Sequence, residues 1–119
     1  MIQGKELLKL MTETCDDMHA KDIVALNMQG LSIIADYFLI CHGTNERQVK
    51  AIAKEVKDVL SEKNVNLNFI EGYDEARWIV LDAGDVICHV FHEEERRYYN
   101  LERLWGDASI IELPLLNEG

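Results

Sequence analysis

Residues 77–92, RWIVLDAGDVICHVFH, contain two apolar runs separated by a very short connection. Each run is rich in β-branched and aromatic residues, which is typical of strands. Ala83 and Gly84 lie between the runs, 77–82 and 85–92, and leave room only for a tight turn. The two strands are therefore predicted to pair as an antiparallel hairpin.

The rest of the chain alternates between helical and extended patterns. Apolar residues spaced three and four apart predict helices, and short β-rich runs bounded by turn residues predict strands. Helices are predicted over 4–19, from a cap at Thr44 or Asn45 to near Asn64, and from Glu93 onward; strands are predicted at 22–28, 36–43 and 66–72. The order α-β-β-α-β-β-β-α predicts an α/β (α+β) domain, in which helices flank a single five-stranded mixed sheet.

The length of 119 residues is sufficient for one core and too short for two. We assign residues 1–108 to one domain and residues 109–119 to a C-terminal tail, because the tail shows no clear period. No apolar run approaches the roughly 20 residues of a membrane-spanning helix, and the N-terminal residues lack the apolar core of a signal peptide. We therefore expect a cytoplasmic protein, in which Cys15, Cys41 and Cys88 are buried free thiols.

The formal net charge of −10 argues against direct binding to phosphate backbones, which requires clustered Lys and Arg. An acidic chain is attracted instead to a basic partner. Ribosomal proteins, histones and nucleic-acid-binding proteins all qualify, and charge alone does not choose among them.

His89 and His92, with Cys88 beside them, raise the possibility of a metal site. Side chains alternate along a strand, so positions 89 and 92 are predicted to point to opposite faces. No second group of residues with ligand spacing accompanies them. His89 is therefore interpreted as a structural histidine of the sheet, and no metal or cofactor is expected.

A second hypothesis is a nucleotide- or metal-binding enzyme related to nucleotidyltransferases. The small-residue turn HGTN at 42–45 could present backbone N–H groups to an anion at a helix N-terminus, with Thr44 beside them. Asp82 and Asp85 could bind a divalent cation. Only one glycine and no following lysine are present, however, and Asp is common at tight turns for local hydrogen bonding.

Aromatic residues offer a third kind of site, because aromatic side chains carry much of the energy of protein interfaces. Trp78 alternates with the apolar residues of its strand, and Tyr99 lies near the start of the last helix. These two are the better candidates for exposure. Leu101 and Trp105 are assigned to the core.

The motifs together resemble the ribosomal silencing factor family, RsfS, also called the Iojap family. The resemblance covers about residues 3–105 and rests on four segments, which are DIVALNMQG (22–30), ADYFLICHGTN (35–45), EGYDEARWIVLDAGDVICHVF (71–91) and EEERRYYNLERLW (93–105). A tryptophan before an apolar strand, then Asp-x-Gly-Asp, then a strand with His, is a long and specific pattern.

The resemblance implies a protein that is not an enzyme and has a nucleotidyltransferase-like fold. Such proteins bind the large ribosomal subunit at its L14-type protein, sterically block joining of the small subunit, and repress translation when nutrients are limiting. They are often homodimers. By matching motif, the partner-binding residues would be Trp78, Ala83 and Tyr99, although relatives often carry Leu at the position of Ala83.

Overall fold

A computed structural model describes residues 2–99, 106 and 108–111. Three helices and six strands are found in these residues. In chain order they are α1 (Gly4–Asp17), β1 (Lys21–Asn27), β2 (Tyr37–Gly43), α2 (Glu46–Glu62), β3 (Phe69–Glu71), β4 (Trp78–Asp82), β5 (Val86–His92), α3 (Glu93–Tyr99) and β6 (Ser109–Ile111). The strands form one mixed sheet in the order β3-β4-β5-β2-β1-β6. The predicted α+β class, with one sheet flanked by helices, is confirmed.

The predicted hairpin is confirmed and lies next to the centre of the sheet. Strands β4 and β5 pair antiparallel, with Trp78 opposite Phe91 and Val80 opposite His89. On its other side β5 pairs in parallel with β2, from Tyr37 opposite Val86 onward. Because β2 and β5 are covered by neighbours on both edges and packed on both faces, nearly all their residues are apolar.

The strand count of five was wrong by one. Residues Ser109–Ile111 form the edge strand β6, which pairs antiparallel with residues Ala25–Asn27 of β1. Three residues are too few to show an alternating pattern, and none of the three is fully buried. The described part of the predicted tail therefore belongs to the sheet, although nothing in its sequence indicated a strand.

Both long helices cover the same face of the sheet. The apolar stripe of α2, from Val49 to Leu60, is fully buried, and the side-chain oxygen of Asn45 caps its N-terminus by accepting a hydrogen bond from the backbone N–H of Gln48. Helix α1 buries Leu8 and Met11 on the same side. These residues, together with one alternate set of strand residues, form the larger core.

The three cysteines lie in this larger core, as predicted. Cys15, Cys41 and Cys88 are fully buried free thiols, and the sulfur atoms of Cys15 and Cys41 are 4.0 Å apart. They behave as small apolar residues that fill the space between α1 and the central strands.

Candidate partner-binding face

The second face of the sheet carries a group of aromatic side chains, which we call the aromatic face and define as Phe38, Trp78, His89 and Phe91. These residues come from the three adjacent strands β2, β4 and β5. Strand alternation brings them to one side, since Ile79 packs in the larger core while Trp78 packs against a second, smaller core on the opposite face. The buried residues of this smaller core are Leu26, Met28, Ala35, Phe38, Ile40, Ile87 and Phe91.

Trp78 lies partly buried at the beginning of β4. Its indole ring stacks on Phe91 of the neighbouring strand, with ring centroids 4.9 Å apart and an interplanar angle of 26°. Its Nε1–H donates a hydrogen bond of 3.1 Å to Nδ1 of His89. The large aromatic ring is thus held in a defined orientation while part of it is accessible to solvent, as the sequence predicted.

His89 is only 7% exposed, and its ring lies 4.8 Å from the ring of Phe38 in an edge-to-face arrangement. Because Nδ1 accepts a hydrogen bond from Trp78, a neutral ring carries its proton on Nε2. Burial lowers the pKa of His89 to about 4, so the ring is neutral near pH 7. Within the described part of the chain the buried Nε2 atom has no hydrogen-bond partner.

Helix α3 begins directly after β5 and is tied to the start of β4 by ion pairs. The guanidinium of Arg77 contacts the carboxylates of Glu94 at 2.8 Å and Glu95 at 3.0 Å. The hydrogen bond and charge of Arg77 lower the pKa of Glu94. These pairs are accessible to solvent and add little stability, but they place α3 beside Trp78. The side chain of Tyr98 on this helix is 81% exposed.

Of the other two predicted partner-binding residues, the described structure places only the side chain of Ala83. Tyr99 is the last residue of α3, and its side chain lies outside the described residues, as do Leu101 and Trp105. Ala83 follows the far end of β4 and is only 9% exposed. It packs in the larger core, on the opposite side of the sheet from Trp78.

The two carboxylates proposed for an enzyme both accept hydrogen bonds from backbone N–H groups, one within the hairpin turn and one at the start of α1. Asp82 accepts a hydrogen bond of 2.8 Å from the backbone N–H of Gly84, whose φ of 91° suits glycine. Asp85 accepts a hydrogen bond of 2.7 Å from the backbone N–H of Gly4, the first residue of α1. It thus satisfies one of the unpaired donors at that helix N-terminus, which Gln3 does not cap through its side chain.

Backbone N–H groups at the turn after β2 are likewise hydrogen-bonded to nearby side chains. Gln48 accepts a hydrogen bond from the backbone N–H of Thr44 at 2.8 Å, and Asn45 accepts one from the backbone N–H of Gln48 at 2.9 Å. Side chains of the turn and of the first turn of α2 thus satisfy two backbone donors that an anion would otherwise bind.

The two histidines of β5 do not converge. His89 lies on the aromatic face, whereas alternation places His92 on the other side, where its Nδ1 accepts a hydrogen bond from the backbone N–H of Glu94. Among the described residues no group of three or more His, Cys, Asp or Glu side chains could hold a metal ion.

An exposed apolar loop precedes β2 and was not singled out from the sequence. Ile33 is fully exposed and Ile34 is 69% exposed. The loop adjoins the hairpin turn, since the backbone N–H of Asp36 donates to the carbonyl of Asp85 at 2.9 Å. Two adjacent isoleucines between a Gly-containing turn and a strand were the available signal, because a connecting loop gains nothing from apolar side chains of its own.

These features define a single-sheet α+β domain with helices over one face and an aromatic face on the other. In the described residues no helix has both the length and the apolar composition required to cross a membrane.

The chain belongs to the ribosomal silencing factor family, RsfS. The family described as "Ribosomal silencing factor during starvation" matches residues 2–118. The chain is 55% identical to Ribosomal silencing factor RsfS of Bacillus subtilis over 92% of both chains. It is 54% identical to RsfS of Halalkalibacterium halodurans over 94% of this chain and 96% of that protein. The resemblance noted in the sequence is confirmed.

Solved structures support the same assignment. A crystal structure of a Bacillus halodurans protein, 50% identical, covers 92% of this chain and 99% of its own, with a TM-score of 0.83. An X-ray structure from Chromobacterium violaceum, 36% identical, covers 88% of both chains, with a TM-score of 0.86.

More distant relatives in sequence include the chloroplastic protein Iojap of Zea mays, which is 31% identical over 87% of this chain and 45% of that protein.

Proposed function

We propose that this protein is a cytoplasmic translation repressor that binds the large ribosomal subunit at its L14-type protein and sterically blocks joining of the small subunit under nutrient limitation. The family assignment supports a silencing role for the protein. The L14-type partner and the block of subunit joining are the specific parts of the proposal.

The observation that carries the proposal is the partial exposure and fixed orientation of the Trp78 ring. The indole ring of Trp78 is partly exposed, and its contacts with Phe91 and His89 hold it in one orientation. Large aromatic side chains of fixed orientation are the usual energetic centres of protein interfaces, because they bury much area and lose little conformational freedom on binding.

Charge supports a basic partner. The net charge of −10 favours approach to a positively charged ribosomal protein, and complementary charge raises the association rate and disfavours wrong partners. A protein that acts by occupying a surface also requires no catalytic group. The carboxylates of Asp82 and Asp85 fit this mode of action, because both accept backbone hydrogen bonds.

We assign unequal roles to the three partner-binding residues. Trp78 is proposed as the main contact, and Tyr99 as a second contact from α3. Ala83 is proposed to contribute least, because its methyl group is almost completely buried among residues of the larger core.

The test is co-sedimentation of the purified protein with separated ribosomal subunits. We expect binding to the large subunit only, and loss of that binding in Trp78→Ala. Tyr73→Ala is a matched control, because Tyr73 is a partly buried aromatic residue that packs on the larger core, beside Lys50 of α2. Binding to neither subunit, or equal binding by parent and Trp78→Ala, would overturn the proposal.

A further inference from the structure

The aromatic face contains a histidine at a position where the surroundings favour an apolar ring. His89 is almost completely buried between the rings of Phe38 and Phe91. Burial of a polar group is unfavourable unless each of its donors and acceptors is paired. One ring nitrogen of His89 is paired with Trp78, and the other, in the described structure, is not.

The protonation of Nε2 in His89 follows from the hydrogen bond that Nδ1 accepts. A neutral imidazole has one acceptor and one donor nitrogen. Nδ1 is the acceptor for the indole N–H of Trp78, so in the neutral ring the proton resides on Nε2, which is buried. A phenylalanine at this position would remove the unpaired donor, but it would also remove the acceptor for Trp78. Histidine at position 89 is therefore less favourable for stability than phenylalanine, but it provides the acceptor for the indole N–H of Trp78.

The register of β4 and β5 brings His89 next to Trp78. Trp78 lies opposite Phe91, and His89 lies opposite Val80, so the histidine is the diagonal neighbour of the tryptophan across the β4–β5 hairpin. Stacking on Phe91 sets the plane of the indole ring. Stacking alone, however, is compatible with two orientations of the indole that differ by a flip of the ring. The hydrogen bond to His89 distinguishes the two edges of the indole and selects one orientation.

We propose that His89 is a positioning residue of the partner-binding face, which acts through its Nδ1 atom by holding the indole of Trp78 in the orientation that the ribosomal partner binds. The proposal rests on the function proposed above and adds a residue to it. It also implies that the orientation of Trp78 exists before binding, which reduces the entropy lost when the complex forms.

Two substitutions separate positioning from simple packing. His89→Phe keeps an aromatic ring of similar shape and removes the acceptor. His89→Asn has a smaller side chain, but its carbonyl oxygen lies near the position of Nδ1 and can accept the indole hydrogen bond. We expect His89→Phe to unfold at the parent's temperature or above it and to bind large subunits about tenfold more weakly.

His89→Asn should show the opposite order. It should unfold at a lower temperature than His89→Phe, because it leaves a void, and yet bind large subunits more tightly than His89→Phe. A purely structural histidine predicts that binding follows stability in both variants. That result, or binding by His89→Phe equal to the parent, would overturn the proposal.

A double-mutant cycle tests whether His89 acts through Trp78. In Trp78→Phe the indole N–H is absent, so adding His89→Phe should weaken binding no further than Trp78→Phe alone does. Full additivity of the two losses would contradict the proposed route.

The orientation itself is measured by solvent exchange of the Trp78 indole N–H in an NMR spectrum of the free protein, in which Trp78→Phe identifies the signal. We expect slow exchange in the parent and in His89→Asn, and faster exchange in His89→Phe. Equal exchange in all three would overturn the proposal regardless of binding. Faster exchange in His89→Phe, combined with a parent that binds no large subunit, would overturn the proposed function and leave the hydrogen bond's control of the indole established.

Discussion

The two faces of the sheet are built from different kinds of side chain. The face under α1 and α2 is lined mainly with aliphatic residues, thiols and small residues, with Tyr37 as a buried aromatic member, and its central members, such as Leu39 and Ile52, have no exposed area. The other face also contains aliphatic residues, such as Ile40 and Ile87, but it adds aromatic rings, a partly exposed tryptophan and a buried histidine that has an unpaired nitrogen in the described structure.

This difference separates stability from binding within one sheet. The central residues of the helix-covered face are apolar and fully buried, as in a close-packed interior. The aromatic face departs from this arrangement in two ways, through the exposed part of Trp78 and through Nε2 of His89, which has no hydrogen-bond partner within the described residues. Departures of this kind concentrate at functional sites, where stability is exchanged for activity. The following predictions test whether the two faces separate in this way.

The largest effect on stability is expected on the helix-covered face. Ile52→Ala should lower the free energy of unfolding by about 2–5 kcal/mol, because Ile52 is completely buried and the smaller side chain leaves a cavity. Denaturant titration measures this loss, with Ile52→Val as the milder control. Binding to the large subunit, measured where each variant is fully folded, should not change. An equal loss of binding would show that the two faces are not separate.

The next effect is a pH dependence that belongs to the aromatic face. Burial lowers the pKa of His89 from 6.5 to about 4, so the unfolded chain takes up this proton at a higher pH than the folded protein. The stability linked to the neutral ring is complete above about pH 6.5 and is lost as the pH falls toward about 4, a change of about 3 kcal/mol.

Unfolding titrations of the parent and His89→Phe across this pH range isolate the effect, because the carboxylates that titrate in the same range are common to both. We expect the parent to lose about 3 kcal/mol more than the variant on acidification. Parallel stability curves would show that the ring of His89 is not held neutral by burial.

A somewhat smaller effect is expected for Trp78, and on binding rather than on folding. Trp78→Ala should weaken large-subunit binding by about 2 kcal/mol, about thirtyfold, as expected for an interface centre. Because the ring is partly exposed, its loss should destabilise the fold by less than the roughly 3–5 kcal/mol of a fully buried tryptophan. Thermal unfolding and subunit binding of the same sample measure both quantities. A loss of stability in the core range would place Trp78 with the helix-covered face.

The smallest effect on stability is expected in the hairpin turn that joins β4 and β5. Asp85→Ala should lower stability by about 1 kcal/mol, because the carboxylate caps the first N–H of α1. Asp85→Asn is the control, since its amide oxygen can still accept that hydrogen bond. Neither variant should change binding to the large subunit. A nucleotide-dependent activity in the parent that Asp85→Asn abolishes would favour the enzymatic hypothesis instead.

The sequence predicted the hairpin and the long helices because their signals are local. The β-rich runs of the hairpin, the short connection between them and the apolar stripe of α2 each involve residues close together in the chain, although the connection has three residues, 83–85, where two were predicted. The edge strand β6 could not be predicted in the same way. Its three residues are stabilised by pairing with β1, a partner about 80 residues away in the chain. Strand pairing of this kind is a property of the fold and has no local pattern.

The candidate site shows the same limit. Alternation predicted that Trp78 and Ile79 point to opposite faces, and this is confirmed. That His89 accepts a hydrogen bond from Trp78 depends on the register of two strands, which the turn length indicated but did not specify. The burial of Ala83 depends on residues of other elements that pack against the turn. Its role in binding stays a prediction.

The most direct test of the central claim is a subunit-joining assay with purified large and small subunits. The fraction of large subunits that enter complete ribosomes is measured by gradient sedimentation, with the parent protein, Trp78→Ala or Ile52→Val added in excess over the large subunit. We predict that the parent and Ile52→Val lower this fraction equally and that Trp78→Ala, still folded, leaves it close to the value without added protein. Equal inhibition by all three proteins would contradict the assignment of the aromatic face as the surface that binds the ribosome.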